Sequence, residues 1–181
     1  NNYIRNCNTI SLVNNNQPIN WSIPGGSGGV DTWNGSPNNS FIKMDYFGSL
    51  NNNIFQTALT TSLLPTSQYK ISFWAYIASG TTNNLTLAVA SSTAPVSGPI
   101  LPSPTLPGIY TMLNTFTVVA DGNWHHYSAI ITYTGSSTAK YISLIPLYTP
   151  NPNAAYFLLD DVSIIPSTAI STFSLPAFSC T

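Results

Sequence analysis

The chain contains no glutamate and few charges of any kind. Lys and Arg together number 4, Asp numbers 5, and charged residues fill 5% of 181 positions, against roughly 25% in typical soluble domains. Four scattered cations, Arg5, Lys43, Lys70 and Lys140, with a net charge of −1, cannot neutralise a phosphate backbone, which excludes a nucleic-acid partner. No run of 18 apolar residues occurs, so no helical membrane span is expected. No basic amphipathic stretch is present to lie on a membrane surface. Strong helix formers such as Glu, Lys, Arg and Gln are scarce, which argues against a helical protein.

Cysteine is nearly absent too. Cys7 and Cys180 stand near opposite ends, and three readings stay open. One is a bridge clasping the two termini, which in the chain-entropy picture constrains the unfolded chain by about 5 kcal/mol. Another is two buried free thiols. The third is a bridge between neighbouring subunits.

In place of charge there are 20 Asn, 23 Ser, 21 Thr, 14 Pro, 11 Gly and 22 aromatic residues. Asn, Ser, Pro and Gly favour turns, whereas Thr, Val, Ile, Tyr and Phe favour strands. Apolar residues make up 43%, enough for a core in a chain of this length. The composition is that of a secreted all-β module. Its first residue is Asn rather than Met, which fits a processed secretory chain or an excised domain.

Turn-forming clusters cut the sequence into short apolar pieces of period two. Strands are expected at Thr9–Val13, Phe41–Phe47, Ile54–Leu59, Tyr69–Ala78, Leu85–Ala90, Asn114–Val119, Tyr127–Thr134, Lys140–Leu147 and Tyr156–Ile165. Asn14–Ser40 reads as a long irregular stretch, with Gly25–Gly29 as a flexible turn. Eight or nine antiparallel strands in this order predict a β-sandwich or barrel. On Tyr69–Ala78, Tyr69, Ile71, Phe73, Ala75 and Ile77 share the expected core face. Lys70, Ser72, Trp74 and Tyr76 share the other. Trp74 and Tyr76 then form either a sugar-stacking platform or, in the favoured reading, a patch packed under a long loop.

Two segments exceed a minimal sandwich. Ser91–Gly108 holds Pro95, Pro99, Pro102, Pro104 and Pro107 without a charge and is expected to be an extended loop. The sandwich is assigned to 1–165, and 166–181 is read as an apolar extension. Ile170, Phe173, Leu175 and Phe178 in that tail need burial on the same domain or on a neighbour.

Four local patterns together resemble the galactose-binding-like jelly roll of carbohydrate-binding modules and of a plant cell-wall protein family of unknown function. Trp21-Ser22-Ile23 precedes Gly25-Gly26 and Gly29-Val30-Asp31. Ile54-Phe55-Gln56-Thr57 leads into Gln68-Tyr69-Lys70-Ile71-Ser72-Phe73-Trp74. Asp121-Gly122-Asn123-Trp124-His125-His126-Tyr127 begins a late strand, and Leu159-Asp160-Asp161-Val162-Ser163-Ile164 is similar to the family's final strand. The resemblance implies an all-β jelly-roll sandwich and an extracellular, non-catalytic module in a glycan-rich setting. Such domains commonly hold a structural calcium with an acidic residue near their start. Here Asn6-Cys7-Asn8-Thr9-Ile10 stands there, and one Asp of the pair is expected to cap backbone amides while the other faces solvent. No cofactor and no metal are therefore expected.

Catalytic constellations are thin. Glycoside hydrolysis needs two carboxyl groups placed across a sugar, and no Asp pair falls in such a setting. His125 and His126 are adjacent, so on a strand they face opposite sides and read as surface or edge histidines. Asp121, His125 and any serine lack the elbow and oxyanion features of a hydrolase. Asn-x-Ser/Thr sequons at Asn20, Asn34, Asn38 and Asn84 are chemically able to carry glycans, but so much Asn, Ser and Thr yields that number by chance.

Two functions fit these features. A chain so poor in charge, with mean hydropathy +0.11, needs its surface covered. The first reading is a self-assembling extracellular structural protein whose terminal segments add to a neighbour's sheet edge, with other copies of itself as partners. The alternative is a carbohydrate-binding module, with polysaccharide as partner and Trp33, Tyr46, Trp74 and Tyr76 as contacts. Trp21 and Trp124 are read as core or edge plugs.

Overall fold

A computed structural model describes residues 54–77, 85–96, 109–147 and 158–167 with side chains. It describes 12–13, 17–18, 21–22, 28–32, 40–46 and 155–157 as strand backbone. Every described element is a strand or a turn: β1 (Leu12–Val13), β2 (Gln17–Pro18), β3 (Trp21–Ser22), β4 (Gly28–Thr32), β5 (Ser40–Tyr46), β6 (Phe55–Leu63), β7 (Gln68–Tyr76), β8 (Leu85–Ser92), β9 (Thr111–Val118), β10 (His125–Thr132), β11 (Ala139–Leu147) and β12 (Ala155–Pro166).

The strands form two five-stranded antiparallel sheets and the small β1–β2 pair. The first sheet has the order β10-β7-β12-β5-β4, the second β3-β6-β11-β8-β9. From β5 onward the chain changes sheet at nearly every step. This is the jelly-roll sandwich expected from the sequence. The period-two pattern of β7 places Tyr69, Ile71, Phe73, Ala75 and Ile77 in the core with Phe55, Leu87, Phe116, Ile142, Leu144, Leu159 and Ile164. The Phe73 ring packs edge-on to Phe116 at 4.9 Å and stacks on Tyr127 at 5.5 Å, offset geometries that aromatic quadrupoles favour.

Two expectations need correction. The stretch from Asn14 to Ser40 contains β2, β3 and β4 rather than only loop. Gly28 and Gly29, read as part of a flexible turn, pair with Met44 and Lys43 as the start of β4. Glycine has weak intrinsic strand preference, and here pairing with β5 overrides it. In addition, Ser91 and Ser92, assigned to the Pro-rich loop, close β8.

Two local irregularities shape the outer face of the first sheet. Gly122 has φ 78°, a left-handed conformation that glycine adopts without cost. Its N–H donates to the Ile77 carbonyl at 3.0 Å, and Asn123 N–H donates to Asp121 Oδ1 at 2.9 Å. This Asx-type turn delivers Trp124, His125 and His126 onto the start of β10. In β12 the register to β7 breaks between Asp160 and Ser163. Asp161 bulges there with φ 48°, so Val162 returns to the core.

Candidate functional site

The outer face of the first sheet is organised in rows across β10, β7 and β12. Antiparallel register sets His126 opposite Trp74, and Trp74 opposite Asp160. The next row is Ser128, Ser72 and Ser163, whose last two hydroxyls lie 2.7 Å apart. On the other side of Trp74 stands Tyr76, opposite the buried Leu158.

Trp74 is 41% exposed. This corrects the favoured expectation of a loop cover. Among the described residues the ring is flanked by the His126 imidazole, 5.3 Å away and tilted by 54°. Tyr76 is half-buried, with Trp124 at 5.6 Å and 40°. Trp124, read from the sequence as a core or edge plug, is thus half-buried on the same outer face. The turn at Gly122 is what places it there. The four rings form an aromatic strip at one end of the sheet.

Two carboxyl groups border this strip. Asp160 is half-buried, and its Oδ1 accepts the Asp161 N–H at 2.8 Å. Burial raises its pKa to about 6; the Asp161 hydrogen bond opposes the rise, and the neighbouring Asp161 charge adds to it. Asp161 is exposed at the bulge. Burial also raises its pKa, and nearby His126 opposes that. The pair therefore divides as the sequence suggested, with one carboxyl group on a backbone amide and the other toward solvent. The bulge at Asp161 breaks the regular alternation of faces along the strand there.

His125 and His126 do separate. His126 joins the strip, while His125 Nε2 contacts both oxygens of Asp121 at 3.0 and 2.9 Å. That contact, followed by the Asn123 amide, holds the Asp121 carboxyl below its usual range. No described serine completes a triad with this pair.

The outer face of the second sheet is covered in part by its own chain, while Ala58, Thr60, Thr115 and Thr117 stay exposed on it. Ile54, Ala88, Ala90, Tyr110 and Ile145 form a second apolar cluster, with Val96 and Leu147 packed against it. Val96 and Tyr110 flank the Pro-rich segment, so its two described ends lie on this face. Gln56 is buried beneath them. Its Nε2 donates to Ser143 Oγ at 3.1 Å, and its Oε1 accepts the Val96 N–H at 3.1 Å. The Tyr110 hydroxyl is buried near Ser143 but outside hydrogen-bonding geometry, and burial raises its pKa. Sequence reading missed this cluster. Its signal was available, since Leu85–Ser92 and Ala139–Leu147 lack the clean polar alternation of one-sided strands.

Of the other sequence-derived contacts, Tyr46 is opposite Ala155 in the β5–β12 register, and its side chain lies outside the described residues. So do Trp33, Cys7, Cys180, Ile170, Phe173, Leu175, Phe178, and the sequons Asn20, Asn34, Asn38 and Asn84.

No protein-family model matches the chain, and no curated protein matches it. Solved structures do. The xylan-binding CBM22-1 domain of Paenibacillus barcinonensis Xyn10C is similar at TM-score 0.56 and 16% identity, over 92% of this chain and 94% of that one. A family 29 carbohydrate-binding module, CBM29-2, is similar at TM-score 0.55 and 8% identity, over 97% and 99%. The K2 cleaved adhesin domain of Lys-gingipain is similar at TM-score 0.56 and 13% identity, over 90% and 97%. At these identities the likeness is one of fold.

Proposed function

We propose that the chain, whose fold is that of carbohydrate-binding modules, is a non-catalytic extracellular module that binds polysaccharide on the outer face of its first sheet. The observation that carries this reading is Trp74, a large ring left open on a regular strand and flanked by His126 and Asp160. An indole face suits the C–H surface of a pyranose ring. Asp160, Asp161 and His126 border it with groups that hydrogen-bond sugar hydroxyls. The Ser128–Ser72–Ser163 row continues the polar surface along the strands. Tyr76 and Trp124 extend the apolar part the other way.

The opposite face supports the reading less well, because Val96, Tyr110 and Ile145 already fill it. Catalysis has little to stand on. The two carboxyl groups near the strip belong to adjacent residues, and one of them is tied to the other's backbone. The terminal segments invoked for fibre assembly lie outside the described residues, and nothing in the fold speaks for them.

Titration of the whole chain with xylan, mixed-linkage glucan, mannan and cellulose tests the proposal. Trp74→Ala is expected to weaken binding by about tenfold or more, in the range of a lost aromatic anchor. Gln56→Ala, a change on the closed face, is expected to leave affinity unchanged. Full affinity in Trp74→Ala, or its loss in Gln56→Ala, overturns the placement of the site. Absence of binding to every glycan overturns the function.

A further inference from the structure

We propose that a second copy of this chain docks along the open edge of β10, extending the first sheet across a two-fold axis. Among the described residues β10 pairs only with β7. Its ladder to β7 runs through eight consecutive pairs without a register break. Exposed edges are normally blunted by a Lys, a Pro, a bulge or short length. The sequence His125–Thr132 has none of these devices. The edge at the far side of this sheet, β4, has 5 residues, and β3, the corresponding edge of the second sheet, has 2.

The backbone is set for pairing. Tyr133 N–H donates to Ser67 and its carbonyl accepts from Thr66, both on the β7 side. Antiparallel alternation then turns the N–H and C=O groups of His126, Ser128, Ile130 and Thr132 outward. Ile130 is 62% exposed, the largest value among the exposed large hydrophobic residues described. Antiparallel pairing about an axis at Ile130 brings the two isoleucines together.

A copy is the occupant the charges favour. Neither β10 nor the adjacent edge β9 carries Lys, Arg or Asp. A net charge of −1 sets up no appreciable repulsion between copies. Two stacked eight-residue edges approach the about 20–30 residues a side of a standard interface. They place the contact at the weak end of the range, with a midpoint on the order of 10⁻⁵ M. The axis runs perpendicular to the sheet, so both Trp74 strips remain on the same face. The inference is independent of the saccharide reading and is measured without any glycan.

Sedimentation equilibrium of the whole chain, from about 1 to 300 µM around that midpoint, is the test. A reductant keeps Cys7 and Cys180 from linking copies. A concentration-dependent dimer is expected. Ile130→Lys, and Ser128→Pro, which removes an outward N–H that the β7 ladder does not use, should each weaken it by about tenfold or more. Leu64→Lys, at a residue 53% exposed in the β6–β7 turn, should not. Amide exchange at Ser128, Ile130 and Thr132 in the unaltered protein should slow as concentration rises, which decides the matter even if a variant misfolds. A monomer throughout, a dimer indifferent to both edge substitutions, or exchange independent of concentration overturns the proposal.

Discussion

The two outer faces of this sandwich are built from the same kind of strand, yet the region around Trp74 on one and the region around Ile145 on the other end in different states. On the first sheet, Trp74, His126 and Asp161 remain open to solvent. On the second, Ile54, Tyr110 and Ile145 are buried under chain that leaves and re-enters the Pro-rich segment. Strand pattern alone does not decide which face is free. On the second sheet the described chain at Val96 and Tyr110 packs over the strands and makes a second apolar cluster there, whereas on the first Trp74 keeps an open ring.

The comparison breaks most directly at its apolar anchors. Ile145→Ala is expected to cost about 2–5 kcal/mol, because a 5% exposed side chain between tightly packed neighbours leaves a cavity. Trp74→Ala is expected to cost less than Ile145→Ala despite removing more atoms, since the 41% exposed ring leaves a groove open to water rather than a sealed cavity. Urea denaturation of both variants measures the contrast. Equal losses would mean that Trp74 is a packing residue and that the two faces do not differ.

Gln56 provides the next largest effect. Gln56→Ala strands the Ser143 hydroxyl and the Val96 N–H under the cover, and each unsatisfied buried group costs about 1–3 kcal/mol unless water replaces the partner. A loss of about 2 kcal/mol in the same denaturation assay is expected. An unchanged midpoint would show water already reaching this face and would erase the distinction between open and closed.

Tyr110 tests the cover in the other direction. Its buried hydroxyl has no hydrogen-bond partner among the described residues, so Tyr110→Phe removes a desolvated group without leaving another described group unpaired. The variant should be as stable as the parent or more stable by about 1 kcal/mol. A clear loss of stability would mean that the hydroxyl meets Ser143 or a water in solution.

Much of the architecture was readable because the core face of β7 alternates cleanly and turn residues separate the strands. Trp74 and Tyr76 were legible on the same grounds, as outward residues of that strand. Their exposure was not, since it depends on where distant loops travel. His126 and Trp124 joined the strip through a turn fixed by Gly122 and the Asp121 carboxyl, a three-dimensional consequence that period two does not encode. The bulge at Asp161 was equally hidden, because a pattern of alternating faces gives no sign of one extra residue. The closed face was missed for a related reason. Gln56 and Ser143 are polar residues on outward positions of their strands, and their burial depends on packing with chain far away in sequence, such as Val96.

The smallest expected effect lies beside the open strip and depends on pH. Asp160 is half-buried, and its pKa of about 6 stands above the about 3.9 of an unfolded aspartate. Between these values the folded chain binds more protons than the unfolded one, so its stability falls as pH rises from about 4 to about 6. Asp160→Asn has no such charge to desolvate and keeps an oxygen for the Asp161 N–H. A two-unit shift corresponds to about 3 kcal/mol for a sealed group; solvent reaching the half-buried Asp160 reduces that to below about 1 kcal/mol. The variant is therefore expected to match the parent below about pH 4 and to exceed it by that small margin at pH 7. Thermal melts across this window measure the difference. A gap that is flat with pH would place the Asp160 carboxyl in open water, and the edge of the strip would then be wetter than the closed face by more than the geometry implies.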